Sequence, residues 1–409
     1  MALLIAALAL LFPLFGFIAL VLNFSKSTNP VTYGLLIGVC MSGIAFGLIN
    51  TSEYSDLARF MDQAMLTQGL SPQQSLDLFS RSHISDTPLA IMWFWLVGQT
   101  GIAQLYPASI AFVEYAIIGY IFTDYAVSAR FKRGQYLFLL GVLAVTLPLF
   151  DSVGSVRSTP ALALAILAIY LEYCKSIKHP LVYTLYIIPI FIHSIGFIAI
   201  PLRLLCVLGG SRATLAIVCS ALMLPAAYAL SSVLDPVFSS WGFSVMSRVQ
   251  TYVAGGESEY AQHVAEGTFF QIKKYLAIAL GLVSAFIMLR VKGRYGTHSD
   301  DVNARLSLIG GLLCGLIASF AVVVVVPSYA RFLYTALPIC ALCVVGARMK
   351  YGKWQLPGAE AGIYVISQVL FWVLIVAMFA LSMFELTRRI SMSGLLAHVL
   401  LGYFGYLIM

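Results

Sequence analysis

What most limits this chain is a set of apolar runs that no water-facing element could carry. Leu306 to Val326 holds nothing more polar than serine, and Ile363 to Phe384 carries no charge either. Each is about the length of one bilayer crossing, since roughly 20 helical residues span a hydrocarbon core of about 30 Å. Inside lipid a segment must satisfy its own backbone polar groups, which leaves helices and closed barrels. A barrel would alternate apolar and polar residues over segments of about ten, and these runs do not alternate. Across all 409 residues, 61% are hydrophobic and 10% charged, against about 45 to 50% and about 25% in a soluble domain. The sequence therefore predicts an all-α polytopic integral membrane protein, a single membrane domain over 1–409 with about 12–14 transmembrane or half-membrane helices. Two long polar stretches, 50–87 and 235–274, are expected as extracytoplasmic loops.

Met1 to Leu22 lacks a basic leading region and is followed at once by a second apolar run, so it is expected to remain as a helix rather than be cleaved. The net charge of +7 concentrates in short loops: Arg130 to Arg133, Lys175 to Lys178, Arg290 to Arg305 and Arg348 to Lys353. Such loops face the cytoplasm, which makes the charge a signal of orientation. A nucleic-acid footprint would need a clustered basic face, and none is present. Consistent orientation forces Leu181 to Gly210 to be two half-helices, with His193 near the tip and Arg203 and Arg212 on the return. The same bookkeeping makes Pro88 to Leu105 re-entrant. It puts Asp151 to Thr159, Pro327 to Arg331 and Glu385 to Ser393 outside.

Positive charge outside opposes orientation, so Arg157, Arg331, Arg388 and Arg389 require another explanation, and an anionic ligand supplies one. Arg157 sits in a turn of small residues ahead of a helix, whose amino end favours anions. The competing reading is a surface pair of Asp151 with Arg157. Arg331 occupies a matching position before another helix, where it could equally snorkel to the interface. Asp56 or Glu53, leaving the membrane directly after a helix, could serve as general base. No H-E-x-x-H, G-x-S-x-G or Walker loop occurs. The acidic residues form no oxygen cage for a cation, and Cys340-x-x-Cys343 has no sequence companion, so neither a metal nor any other cofactor is expected.

The run Gly154-Ser-Val-Arg157-Ser-Thr-Pro-Ala161, a helix ending in Glu172-Tyr-Cys-Lys175, and Phe191-Ile-His193-Ser194 leading to Pro201 together resemble the EpsG-type branch of the Wzy polysaccharide polymerases. Glu53-Tyr54 followed by Asp56 is similar to that family's acidic outer loop, and Tyr329-Ala-Arg331-Phe-Leu-Tyr334 to its late Arg and Tyr element. The resemblance implies a fold similar to the GT-C glycosyltransferases in the bacterial inner membrane, with its active site facing outwards. The implied reaction joins undecaprenyl-diphosphate-linked oligosaccharides, donor and acceptor alike, and leaves room for a chain-length regulator as partner. Arg157 and Arg331 would hold the leaving diphosphate. His193 would hydrogen-bond that diphosphate or take the acceptor's proton, with Asp56 and Glu53 as competing bases. Tyr54, Arg59, Arg248, Tyr252, Tyr334 and Arg388 would be secondary or sugar contacts. A flippase for the same lipid, or an O-antigen ligase, is the alternative.

Overall fold

Helices here stop where proline, glycine or a polar cap stops them. The computed structural model describes residues 2–47, 56–80, 84–230, 268–295, 302–323, 334–351 and 359–389, with a few short pieces beyond, and among these every regular element is helical. Among the described residues four helices are long and apolar enough to cross a membrane, Leu105–Ser128, Arg212–Ala229, Gln271–Leu289 and Gly362–Phe384, and shorter apolar helices accompany them. The chain divides into two compact units. One comprises Met1–Leu167, Thr184–Gly196 and Ser382–Met409; the other comprises Ala168–Tyr183 and Phe197–Leu381.

In the first unit, the single helix expected for Met1 to Leu22 is instead two, α1 (Ala2–Leu11) and α2 (Pro13–Asn23). Phe12 between them is non-helical at φ −138°, because Pro13 has no N–H for a continuing ladder but suits the first position of a new helix. Each piece is about 15 Å long, half a crossing. α3 (Pro30–Phe46) starts on Asn29, whose side chain accepts from the Val31 and Thr32 N–H groups. It lies along α7 (Leu105–Ser128), the most buried of the four long helices. Gly34 and Gly38 make that approach possible: a Cβ on Gly34 would sit 2.6 Å from the Ala116 carbonyl oxygen, and one on Gly38 2.8 Å from that of Phe112. This is the small-xxx-small spacing of packed membrane helices.

The polar stretch expected as the first outer loop carries two short helices, α4 (Asp56–Met65) and α5 (Pro72–Leu78), which pack on α6 (Pro88–Thr100). α6 is stopped by Gly101 in the left-handed conformation at φ 68°. At about 20 Å it is shorter than a full crossing of about 30 Å. After α8 (Arg133–Thr146), Pro148 restarts the chain as the short α9 (Leu149–Gly154), which contacts α3, α4 and α7. α10 (Ser158–Ile169) follows and runs on into a π-helical turn, Tyr170–Cys174.

The break expected in Leu181 to Gly210 falls at His193: α11 (Pro180–Ile192) ends there, a 3-10 turn covers Ser194–Ile198, and α12 (Ala199–Ala229) begins. Tyr183 and Arg203, ten residues either side of His193, meet with the guanidinium 5.4 Å from the ring centroid. α12 is interrupted at Arg212 (φ −135°, ψ 58°), so the return limb and the following span are distinct, as their charges require.

In the second unit, α14 (Val302–Val323) packs against α12, α13 (Thr268–Tyr295) and α15 (Leu337–Tyr351). Arg203 grips Glu172 through two hydrogen bonds, Nε to Oε2 at 2.8 Å and Nη2 to Oε1 at 2.7 Å. Arg305 donates to the Tyr173 carbonyl at 3.0 Å and to the Ser176 hydroxyl at 2.6 Å. These two arginines therefore fasten the end of the π turn, where backbone carbonyls lack helical partners. The thiols of Cys314 and Cys340 lie 3.3 Å apart, a companion the sequence did not reveal, but among the described residues no group of His, Cys, Asp or Glu could hold a metal ion. α16 (Ala359–Arg389) buries Phe371 and Met378 and leaves Ile366, Val369, Val373 and Val376 exposed. Between α13 and α16 runs a groove of about 510 Å³, lined by Leu282, Val283, Phe286, Ile363, Ile366 and Ser367. It suits a hydrocarbon chain and offers no charge to an anion.

Candidate functional site

In the first unit, Arg157 in the turn that follows α9 and Arg59 on α4 both approach the Phe60 ring. Arg157 is only 6% exposed and Asp151 3%, so neither stands at the surface, where the alternative reading paired them. A guanidinium buried this deeply is expensive unless its donors and its face are used. Its Nη1 donates to the Thr87 hydroxyl at 3.1 Å, and that hydroxyl in turn donates to the Ile84 carbonyl at 2.8 Å, which fixes its lone pairs towards the arginine. The guanidinium carbon stands 4.9 Å from the centroid of Phe60. Val156, immediately before it, takes φ 41°, a region β-branched residues avoid. Such strain persists where surrounding packing enforces it, commonly at functional sites.

Arg59 approaches the same ring, its guanidinium carbon 5.0 Å from the Phe60 centroid. The two cations are thus no more than about 10 Å apart, the sum of those two distances. An aromatic face attracts each of them, worth about 0.5 to 2 kcal/mol apiece. Phe60 stacks on Phe94 at 5.7 Å, and Phe94 leans on Tyr106 at 5.3 Å, so buried Arg157 and exposed Arg59 border a buried aromatic floor drawn from α4, α6 and α7. The amino end of α10 adds less than its sequence suggests. Ser158 N–H is already committed to the Ser155 carbonyl, and Pro160 has no N–H to give.

The remaining residues singled out by sequence are dispersed. Asp56 opens α4 one turn ahead of Phe60, which brings a candidate base onto the element that carries Arg59; its placement rests on the backbone alone. His193 is half-buried at the α11 break, and its Nδ1 accepts from the Ile195 N–H at 3.1 Å. In the neutral ring the proton is then on Nε2, which makes that nitrogen a hydrogen-bond donor. Tyr334 belongs to the second unit and is buried against Lys273, whose Nζ is 5.7 Å from the ring centroid. It has no open face for a sugar, contrary to expectation. Arg388 lies near the end of α16, known by its backbone only, and Glu53, Tyr54, Arg248, Tyr252 and Arg331 fall outside the described residues.

Several charged residues were overlooked by the sequence reading. Glu114, in the middle of α7, is 0% exposed and accepts a short hydrogen bond from the Ser152 hydroxyl. Asp124 is buried further along the same helix. Their signal was plain, since an acidic residue inside an apolar run has to have a partner. Lys273 and Lys274, read as the edge of the second outer loop, are buried in α13. Comparison of the chain with family models, with characterised proteins and with solved structures finds no match in any of the three.

Proposed function

We propose that the chain is a polysaccharide polymerase of the bacterial inner membrane, joining undecaprenyl-diphosphate-linked repeat units on the extracytoplasmic side through a GT-C-like arrangement of helices. The observation that carries this reading is the pair of guanidiniums, Arg157 and Arg59, on opposite sequence segments but at one aromatic ring. A diphosphate needs two cationic donors at close range, and planar guanidiniums match its oxygens where lysine does so poorly. In the reaction an acceptor hydroxyl attacks the anomeric carbon of the donor sugar, the bond from that carbon to the phosphate oxygen breaks, and the lipid diphosphate leaves with the electron pair. The arginines stabilise that developing charge, Arg157 from a buried position and Arg59 from an exposed one. Asp56 or Glu53 takes the hydroxyl proton, and His193 donates to the diphosphate. An O-antigen ligase would use the same donor site with a different acceptor.

Arg157→Ala and Arg59→Ala should each reduce elongation by roughly a hundredfold or more, the usual cost of removing a charge-stabilising donor. Arg157→Lys should recover only a small part, because the charge survives but the fork does not. Polymer of wild-type length from an inserted, correctly folded Arg157→Ala variant would sink the proposal. One observation favours a transporter instead: the carboxyl of Glu114 lies near the middle of a long apolar helix, where proton-coupled carriers hold ionisable groups.

A further inference from the structure

Among the described residues, four buried side-chain polar atoms lack a hydrogen-bond partner: Gln63 Oε1, the Tyr106 hydroxyl, Ser155 Oγ and Ser382 Oγ. Three of them stand on segments that surround Arg157. Gln63 lies one turn beyond Phe60 on α4, Ser155 two residues ahead of the arginine, and Tyr106 at the start of α7 within electrostatic reach of the guanidinium. Tyr106 is 0% exposed, flanked by Phe94 and by Trp93, whose ring centroid is 6.0 Å away. Folded proteins satisfy nearly every buried polar atom, and a cluster of exceptions beside a buried cation marks where a polar ligand makes its contacts.

The chemistry of the three orphans narrows that ligand. A phenol and a serine hydroxyl can donate, so they join Arg157 in serving an anionic oxygen. The carbonyl oxygen of Gln63 can only accept, and an ionised phosphate has nothing to give it. We infer that Tyr106 and Gln63 are ligand-binding residues of the Arg157 site, and that they select a phosphate with a sugar hydroxyl beside it, a glycosyl phosphate, over a bare phosphate. This rests on the diphosphate reading of Arg157 and Arg59 and adds to it the residues that recognise the phosphate and the sugar it carries.

The test is titration of the purified full-length protein with three probes: geranylgeranyl diphosphate, the same lipid esterified at its terminal phosphate with N-acetylglucosamine, and phosphatidylglycerol. Wild type should prefer the glycosylated probe to the bare diphosphate by about tenfold, the scale of one hydrogen bond that would otherwise be left unmade in a buried site. Tyr106→Phe should weaken both diphosphates about tenfold and raise the melting temperature of the ligand-free protein, since it deletes an unpaired buried hydroxyl. A purely structural tyrosine would give the reverse pattern. Gln63→Leu should weaken the glycosylated probe alone and erase the preference. Wild-type binding by Tyr106→Phe, a preference that survives Gln63→Leu, or competition by phosphatidylglycerol equal to that of the glycosylated probe would each overturn the inference. Arg157→Ala separates the two levels. If it binds bare diphosphate normally, the diphosphate reading falls; if it loses binding while Tyr106→Phe and Gln63→Leu do not, only the glycosyl selectivity falls.

Discussion

Burial differs sharply from one arginine to the next. Arg203 and Arg305 spend their donors on Glu172, the Tyr173 carbonyl and Ser176, and so hold the π turn rather than a ligand. Arg157 is more deeply buried, uses an aromatic face, and follows a strained Val156. Its sequence motif pointed to it directly. Arg59 was legible only as a secondary contact, because its meeting with Arg157 depends on how α4 folds over α6, which no local spacing states. Glu114 provides the sharpest residue-level prediction. If it serves to accept the Ser152 hydroxyl, Glu114→Gln keeps an acceptor and should leave elongation within about threefold of wild type, whereas Glu114→Leu strands that hydroxyl at a cost of about 1 to 3 kcal/mol. Abolished function in a normally folded Glu114→Gln protein would shift the balance to proton-coupled transport. At the α11 break, His193→Asn can still accept from the Ile195 N–H through a local turn, yet it loses the imidazole Nε2 donor. It should express normally and elongate at least roughly tenfold more slowly; wild-type rates would return His193 to a packing role.

Helices obey close-approach rules that the sequence states in short words. The Gly34 to Gly38 spacing lets α3 lie on α7, and Gly38→Leu would drive a side chain into the Phe112 carbonyl. Overpacking of this kind costs about 1 to 3 kcal/mol or more, so the variant should lose its monodisperse peak in size-exclusion chromatography or melt well below wild type. Gly134, in the first turn of α8, has open space where a Cβ would go. Gly134→Ala should therefore melt at or slightly above wild type, because alanine loses less entropy on becoming helical. Equal melting of the two variants would remove the packing account of Gly38. At this scale much was legible: the break at His193 and the division at Arg212 both follow from the demand that basic loops share one side. What escaped was the cut at Phe12, where Pro13 overrode an apolar run that looked continuous, and the folding of 56–78 into two helices, because amphipathic turns on a polar stretch do not announce what they will pack on.

For the whole molecule, the decision between enzyme and carrier turns on whether two compartments are needed. A carrier moves its lipid from one leaflet to the other and returns it chemically unchanged, so in detergent, where no leaflets exist, it produces nothing detectable. A polymerase makes a new glycosidic bond wherever donor and acceptor meet, and each turnover releases one lipid diphosphate. Purified protein in micelles with lipid-linked repeat units should therefore yield dimers and longer products on a gel, with release of free undecaprenyl diphosphate in equal number to the bonds formed. Arg157→Ala and Arg59→Ala should suppress both signals together, because one transition state feeds both. Diphosphate release without longer glycan would indicate transfer to water and point to a site lacking its acceptor, while the complete absence of both, with flipping retained after reconstitution into vesicles, would establish a carrier in which the paired arginines bind cargo and do no chemistry. The groove between α13 and α16 is apolar along its lining, so within its own unit it can shelter a hydrocarbon chain and offers no charge to a diphosphate in either outcome.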